Sequence, residues 1–222
     1  MTGGSTPIRA VIFDLDDTLV RSVEQKWAHH RAVASEIYGF ELTDERLAEH
    51  WGKPFDVMIG ELYRHSDTPE NMLAACDSLD HRFPKGVFDD AVPGVTTLLD
   101  AGLEVGVLTG APRRHAIADL EHYGFPVPRL AMIQGNDDTS VHKPDPRVFD
   151  APLGALRTTG ITPPEVVYVG DSLIDHAAAV GAGISFIGVA TGLVSVEAFH
   201  EAGAVAATDS LAACVQRILT AT

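Results

Sequence analysis

Residues 10–19 read AVIFDLDDTL, and this stretch decides the fold. Its first four residues form a continuous apolar run, which is typical of a strand covered on both faces in a parallel sheet. The next six, DLDDTL, bring three carboxylates and one hydroxyl directly after that strand. Because ligands of open parallel sheets bind beyond the carboxyl ends of the strands, the stretch predicts a buried first strand with a polar site at its end.

Further apolar runs repeat this pattern along the chain. Helical segments separate them, such as the one that follows Pro112 and ends before Gly124. Strands that alternate with helices predict an α/β fold, a doubly wound parallel sheet with a Rossmann-like core. The predicted strands after the first are 103–108, 130–133, 166–169, 184–189 and, more weakly, 204–206.

One stretch, from about residue 22 to 84, breaks the alternation and shows only helical periodicity. Four short helices are predicted there: one with Val23, Trp27, Arg31, Ala34 and Tyr38 on one face, one after Thr43, one near residues 55–62, and one with Thr68 as N-cap and Pro69 in its first turn. The sequence therefore predicts an α/β catalytic core of residues 1–20 and 85–222 and an inserted α-helical cap of residues 21–84.

Composition narrows the classes of partner. The chain of 222 residues is 45% hydrophobic, which is enough for a real core, and its net charge of −15 disfavours nucleic acid and anionic membranes. No apolar run approaches the roughly 18–20 residues of a membrane helix, and residues 1–9 show no apolar signal core. We expect a cytoplasmic protein, a monomer or homodimer, with a small-molecule substrate. Cys76 and Cys214 are expected to be buried thiols.

Polar residues follow four of the predicted strands in turn. Taken singly, each has a plain structural reading, because Asp-rich turns and a threonine often cap helices and a lysine is usually solvated. All of them together, at the same ends of successive strands, indicate a site instead. The candidates are Asp14, Asp16 and Thr18 after the first strand, Thr109 and Gly110 after the second, Lys143 beyond the third, and Asp171 with Asp175 after the fourth.

This order of motifs resembles the haloacid dehalogenase-like (HAD) hydrolase superfamily. Its signature is a strand ending in Asp-x-Asp-x-Thr, a strand ending in Thr or Ser, a lysine and an acidic pair. No motif position is missing, and the resemblance covers roughly residues 8–219. The helical insert is similar to the cap of the phosphoglycolate phosphatase and β-phosphoglucomutase branch.

The chemistry follows from the residue types. Ionised Asp14 is expected to attack phosphorus as nucleophile and form an aspartyl-phosphate. Asp16 is expected to act as general acid, protonating the leaving oxygen, and then as general base toward water. Three ionised carboxylates, one lysine and a phosphate leave a strongly negative pocket, so the sequence predicts a divalent cation, and oxygen ligands point to Mg²⁺.

The resemblance also implies which residues bind the metal and which bind the phosphate. Asp14, the backbone carbonyl of Asp16, and Asp171 would hold the metal, and Asp175 would contribute directly, through water, or by orienting Lys143. Thr109, Gly110 and Lys143 would bind the phosphate oxygens.

Hydrolysis of a small phosphate ester, such as phosphoglycolate or a sugar phosphate, is therefore the predicted function. A phosphomutase of the β-phosphoglucomutase type uses the same core and remains the main alternative. A 2-haloacid dehalogenase has no need for an acid at Asp16, because a halide leaves without a proton. A non-catalytic binding protein would be expected to lose the nucleophile or the acid. Arg21 is a candidate for recognising a second anionic group of the substrate.

Overall fold

A computed structural model describes residues 6–51 and 55–222. Within these ranges the chain divides into two compact units, one containing the segment up to Val20 together with Val87–Thr222, the other Arg21–Gly86. In chain order the elements are β1 (Ala10–Phe13), β2 (Val20–Arg21), α1 (Val23–Glu36), α2 (Asp44–His50), α3 (Phe55–Leu62), α4 (Pro69–Asp80), β3 (Gly86–Val87), α5 (Ala91–Asp100), β4 (Glu104–Leu108), α6 (Arg113–His122), β5 (Met132–Gln134), α7 (Asp150–Arg157), β6 (Val166–Gly170), α8 (Leu173–Gly181), β7 (Ser185–Val189), α9 (Val196–Glu201), β8 (Ala206–Thr208) and α10 (Leu211–Leu219).

The first unit is built on a six-stranded parallel sheet in the order β5-β4-β1-β6-β7-β8. Phe13 at the end of β1 lies level with Val107 on one side and Val169 on the other. The strand order reverses at β1, which is the place where open α/β sheets bind their ligands. The doubly wound fold and all six strands are thus confirmed, with β5 and β8, at the two edges of the sheet, each beginning two residues later than predicted.

Burial on both faces explains why β1 reads as an unbroken apolar run. Val11 and Phe13 point into the hydrophobic cluster on one face of the sheet, and Ala10 and Ile12 into the cluster on the other. All four side chains are at most 1% exposed. A one-sided sheet would have required alternating polar residues, so the pattern identifies a sheet sandwiched between helices.

The second unit contains the helices α1–α4 around a core of its own. Thr68 is the N-cap of α4 and accepts from the Asn71 N–H, and Pro69 is its first residue, both as the sequence predicts. Among the described residues, none of the helices is long and apolar enough to cross a membrane.

The buried face of α1 differs from the predicted one. Its buried residues are His29, His30, Val33 and Ala34, whereas Trp27 and Tyr38 are partly buried and pack against the core. Two histidines can face the core because their rings find partners there: Nε2 of His29 lies 2.9 Å from the carbonyl oxygen of Cys76, and Nδ1 of His30 lies 2.6 Å from the Tyr63 hydroxyl. Cys76 and Cys214 are both buried, as predicted.

Candidate active site

Several of the polar residues singled out in the sequence lie at the carboxyl ends of three adjacent strands, whereas Lys143 lies beyond β5 and Asp175 within α8. Asp14 directly follows β1, Thr109 and Gly110 follow β4, and Asp171 follows β6. The Asp14 N–H donates to the carbonyl oxygen of Val169 at 2.8 Å, which extends the β1–β6 pairing by one residue. The parallel register therefore brings these residues to one edge of the sheet.

Lys143 joins two of the carboxylates. Its Nζ lies 2.7 Å from Oδ1 of Asp14 and 2.6 Å from Oδ1 of Asp175. The three side chains are 9%, 8% and 1% exposed, respectively. Such charge-assisted hydrogen bonds are stronger than neutral ones, and burial increases the cost of removing either partner.

Burial and the repulsion between neighbouring carboxylates raise the pKa values of two carboxyl groups in this cluster. Burial raises the pKa of Asp14 to about 7, with Lys143 opposing the rise and Asp175 adding to it. Burial, followed by the charges of Asp14 and Asp175, raises the pKa of Asp171 well above its usual value. Although its own burial opposes this, Asp14 and Asp175 raise the pKa of the Lys143 ammonium, so it stays charged.

The donor set of the cluster fits a hard divalent cation. Asp14, Asp171 and Asp175 each offer a carboxylate oxygen, and these oxygens lie within 4.8 Å of one another. Two of these carboxylates, Asp14 and Asp175, already share the Lys143 ammonium. Oxygen-only ligands of this kind suit Mg²⁺.

Both oxygens of Asp175 already have protein partners. Oδ1 accepts from Lys143 at 2.6 Å and from the Tyr168 hydroxyl at 3.3 Å. Oδ2 accepts from the Ser172 N–H at 3.1 Å and from the Ser172 hydroxyl. Of the three roles implied for Asp175 by the resemblance, this arrangement fits orientation of Lys143 best.

A tight turn after β1 presents Asp16. Asp17 adopts a left-handed conformation with φ 59°, and its N–H donates to the carbonyl oxygen of Val20 at 2.6 Å. Asp16 is half-buried on this turn, and its charge contributes to the raised pKa of Asp14. The hydroxyl of Thr18 lies 3.5 Å from Oδ1 of Asp171, so the turn also reaches the end of β6.

Thr109 is buried and Gly110 is exposed at the end of β4. The Thr109 N–H donates to the carbonyl oxygen of Gln134 at 3.0 Å, and the Thr109 hydroxyl accepts from the Ala111 N–H at 3.0 Å. Accepting that bond leaves the hydroxyl proton available for an anion. Arg21, the candidate for substrate specificity, belongs to the second unit, where it ends β2 with an exposed side chain.

Sequence reasoning missed two residues of this cluster. Tyr168 lies in the middle of β6, and its hydroxyl contacts Lys143 and Asp175. Ser172 is the N-cap of α8 and forms a reciprocal capping box with Asp175. The spacing Ser-x-x-Asp after a strand is a readable capping signal, whereas a tyrosine in an apolar run carries none.

The fold and site together define a class of protein: a doubly wound α/β enzyme with an aspartate cluster and a buried lysine at the switch point of its sheet. The chain belongs to the haloacid dehalogenase-like hydrolases, whose family model matches residues 11–189. Its relatives place it on the phosphoglycolate phosphatase and β-phosphoglucomutase branch and show it to be a hydrolase of the phosphatase class.

Three relatives illustrate this. The chain is 30% identical over 218 residues to a phosphoglycolate phosphatase of Rhodospirillum rubrum, covering 92% of this chain and 88% of that protein. It is 29% identical over 202 residues to a phosphoglycolate phosphatase of Yersinia pseudotuberculosis, covering 83% and 82%. A crystal structure of a Thermotoga maritima protein provisionally named beta-phosphoglucomutase superposes with a TM-score of 0.76 at 25% identity, covering 96% of this chain and 97% of that one.

Proposed function

We propose that the protein is a Mg²⁺-dependent phosphatase that hydrolyses a small organic phosphate monoester through an aspartyl-phosphate on Asp14. The observation that carries the proposal is the buried Lys143 ammonium, 2.7 Å from Asp14 and 2.6 Å from Asp175 at the end of the first strand. A carboxylate held in this way at a switch point is placed to attack a bound phosphoryl group.

In the first half-reaction, a carboxylate oxygen of Asp14 bonds to phosphorus while the bond from phosphorus to the ester oxygen breaks. The leaving alkoxide is a strong base, and Asp16 donates a proton to it. In the second half-reaction, Asp16 accepts a proton from water as the water attacks the phosphorus. Inorganic phosphate leaves, and the Asp14 carboxylate is restored.

Positive charge in the pocket comes from two sources. Lys143 and the Thr109 hydroxyl would bind the non-bridging oxygens of the phosphoryl group, with N–H groups at the strand ends, including that of Gly110, adding to them. Mg²⁺, held by Asp14, Asp171 and the backbone carbonyl of Asp16, would offset the charge of the phosphate and keep Asp14 ionised. Asp175 would orient Lys143.

Phosphate release from a panel of small esters, with Mg²⁺ and with EDTA, tests this function. We expect turnover that needs Mg²⁺ and is abolished in Asp14→Asn. Asp100→Asn is the matched control, because Asp100 lies on α5 with a side chain that is 63% exposed. A folded wild-type protein that releases phosphate from no ester, or an active Asp14→Asn variant, would contradict the proposal.

The role of Asp16 as general acid can be tested separately, by comparing substrates whose leaving groups differ in basicity. We expect Asp16→Asn to slow hydrolysis of an alkyl phosphate about 10²–10⁴-fold, the usual contribution of a general acid. Hydrolysis of p-nitrophenyl phosphate should slow much less in the first half-reaction, because p-nitrophenolate is a far weaker base than an alkoxide. The rate of the first half-reaction is measured from the pre-steady-state burst of product. Equal losses of this rate on both substrates would show that Asp16 is not the general acid.

Phosphoglycolate and sugar phosphates are the first substrates to compare, since the relatives named as phosphatases act by name on phosphoglycolate. The mutase alternative has a different product: it returns the phosphoryl group to the sugar instead of releasing it. Incubation with a sugar 1-phosphate, followed by measurement of sugar 6-phosphate and inorganic phosphate, separates the two. Arg21 remains the candidate for a second anionic group of the substrate.

A further inference from the structure

The side chain of Tyr168 connects the two strands that flank β1. It lies on β6, level with Ile12, and is fully buried. Its hydroxyl donates to the carbonyl oxygen of Leu108 at the end of β4, at 3.1 Å. The same hydroxyl lies 3.1 Å from Nζ of Lys143. Thr109 directly follows Leu108, so this one hydroxyl contacts the strand end that carries a predicted phosphate ligand and the lysine that faces the nucleophile.

The hydrogen-bonding capacity of Lys143 matches this arrangement. An ammonium group has three protons and accepts nothing. Among the residues that the structure describes, three acceptors lie within hydrogen-bonding distance of Nζ: Oδ1 of Asp14 at 2.7 Å, Oδ1 of Asp175 at 2.6 Å and the Tyr168 hydroxyl at 3.1 Å. Because Lys143 can only donate, the Tyr168 oxygen must accept, and its own proton is directed to Leu108 or Asp175.

The three acceptors differ in what happens to them during the proposed reaction. Asp14 becomes phosphorylated, so its contact with Lys143 must be shared with the transferring phosphoryl group. Asp175 and Tyr168 keep their chemistry throughout. A fixed ammonium therefore needs two lasting acceptors, and a single one would leave it free to rotate about that bond.

We propose that Tyr168 is a positioning residue, whose hydroxyl together with Asp175 fixes the direction of the Lys143 ammonium toward the phosphoryl group. The catalytic consequence rests on the proposed phosphatase function, whereas the contact with Lys143 does not. The ring itself is held by packing, with Phe149 edge-on at 4.9 Å between ring centroids. Removal of the hydroxyl alone should therefore leave the ring in place.

The test compares Tyr168→Phe with the matched control Tyr63→Phe. Tyr63 is also fully buried, and its hydroxyl also bonds to two side chains, those of His30 and Cys76. It lies in the second unit, outside the candidate site. Thermal unfolding of both variants establishes that each is folded and gives the stability lost with a buried tyrosine hydroxyl.

We expect Tyr168→Phe to lower kcat about tenfold, the factor that corresponds to one net hydrogen bond, with KM changed less than about twofold. The charge that attracts the substrate remains, so binding changes little while alignment in the transition state is lost. Tyr63→Phe should keep the wild-type kcat. A Tyr168→Phe variant with unchanged kcat, while the wild type is active, overturns the proposal.

A second measurement needs no activity. The chain contains four lysines, Lys26, Lys53, Lys85 and Lys143, so the side-chain ammonium resonance of Lys143 can be assigned by NMR with a Lys143→Arg sample. We expect its ammonium protons to exchange slowly with water in the wild type and at least about tenfold faster in Tyr168→Phe. Equal exchange rates in the two proteins overturn the proposal. A wild type that shows slow exchange and releases no phosphate contradicts the proposed function alone.

Discussion

Gly192 approaches a proposed metal ligand so closely that it leaves no room for a side chain. A Cβ added at Gly192 would lie 2.0 Å from Oδ2 of Asp171. The neighbouring Thr191 hydroxyl donates to the carbonyl oxygen of Asp17 at 2.5 Å, so this segment touches both the turn after β1 and the end of β6. The position of the Asp171 carboxylate thus depends on a glycine that carries no chemistry of its own.

We expect Gly192→Ala to displace the Asp171 carboxylate and weaken Mg²⁺ binding about 10–100-fold, as loss of a supporting contact typically does at a metal site. Isothermal titration calorimetry with Mg²⁺ measures this directly. Gly154→Ala is the control: its Cβ meets nothing within 4 Å, and Gly154 lies within α7. That control should keep the Mg²⁺ affinity and gain about 0.5–1 kcal/mol of stability. Equal Mg²⁺ affinities for Gly192→Ala and the wild type would contradict the proposed ligand role of Asp171.

Individual residues also differ in whether their place in the candidate site can be predicted from the sequence. Asp14, Thr109 and Asp171 could be found because each follows a recognisable strand. Tyr168 could not, because its place in the apolar run of β6 predicts only that its ring is buried. Where its hydroxyl ends depends on Leu108 and Lys143, which are 60 and 25 positions away in the chain. Contacts of that kind follow from register and side-chain length, which no local pattern encodes.

At the level of elements, the start of α8 links helix stability to the site. Ser172 caps the helix by accepting from the Asp175 N–H at 3.3 Å, and Asp175 in return accepts from the Ser172 N–H at 3.1 Å. The same carboxylate accepts from Lys143 through its other oxygen. An ordinary capping box therefore also fixes the orientation of Asp175.

We expect Ser172→Ala to cost about 1 kcal/mol in the free energy of unfolding and to lower kcat as well, because Asp175 loses a partner. Ser210→Ala is the matched control. Ser210 is the N-cap of α10, where it accepts from the Ala213 N–H at 3.3 Å, and its loss should cost similar stability with no change in kcat. Urea unfolding and phosphate release, measured on both variants, check the prediction. A Ser172→Ala variant with wild-type kcat would show that the capping box is structural only.

The elements themselves differ in how well the sequence predicts them. The four central strands β1, β4, β6 and β7 begin and end within one residue of the predicted bounds, because helices cover both sheet faces and the apolar runs are unbroken. The edge strand β8 starts later than predicted, since an edge strand pairs on one side only and its bounds depend on β7. The predicted face of α1 is only partly right, because hydropathy treats His29 and His30 as surface residues, whereas Cys76 and Tyr63 provide them with buried partners.

At the level of the whole molecule, the two units have separate cores, and the spectroscopic probes are divided unequally between them. Both tryptophans of the chain, Trp27 and Trp51, lie in the second unit, with ring centroids 6.1 Å apart. Tryptophan fluorescence of the full chain therefore reports on the unfolding of that unit alone. The core of the second unit also contains His30, whose ring centroid lies 6.1 Å from that of Trp51.

The buried His30 makes the second unit sensitive to acid, and tryptophan fluorescence makes this sensitivity measurable. Burial, with a smaller contribution from His29, lowers the pKa of His30 from 6.5 to about 3. Between these values the unfolded chain binds a proton that the folded unit does not, so stability is fully present above pH 6.5 and is lost as the pH falls toward 3. At 1.36 kcal/mol per unit of pKa difference, the loss between pH 7 and pH 5 is about 2 kcal/mol.

We therefore expect the urea midpoint measured by tryptophan fluorescence to fall between pH 7 and pH 5 in the wild type. His30→Gln keeps a polar group beside Tyr63 but cannot titrate, so its free energy of unfolding should fall by about 2 kcal/mol less over the same interval, whatever its stability at pH 7. His81→Gln, at an exposed histidine of the same unit, should follow the wild type. Parallel pH dependence in all three proteins would show that His30 does not set the acid sensitivity. A flattened curve in His30→Gln alone would attribute the acid sensitivity to His30, which is buried beside Tyr63.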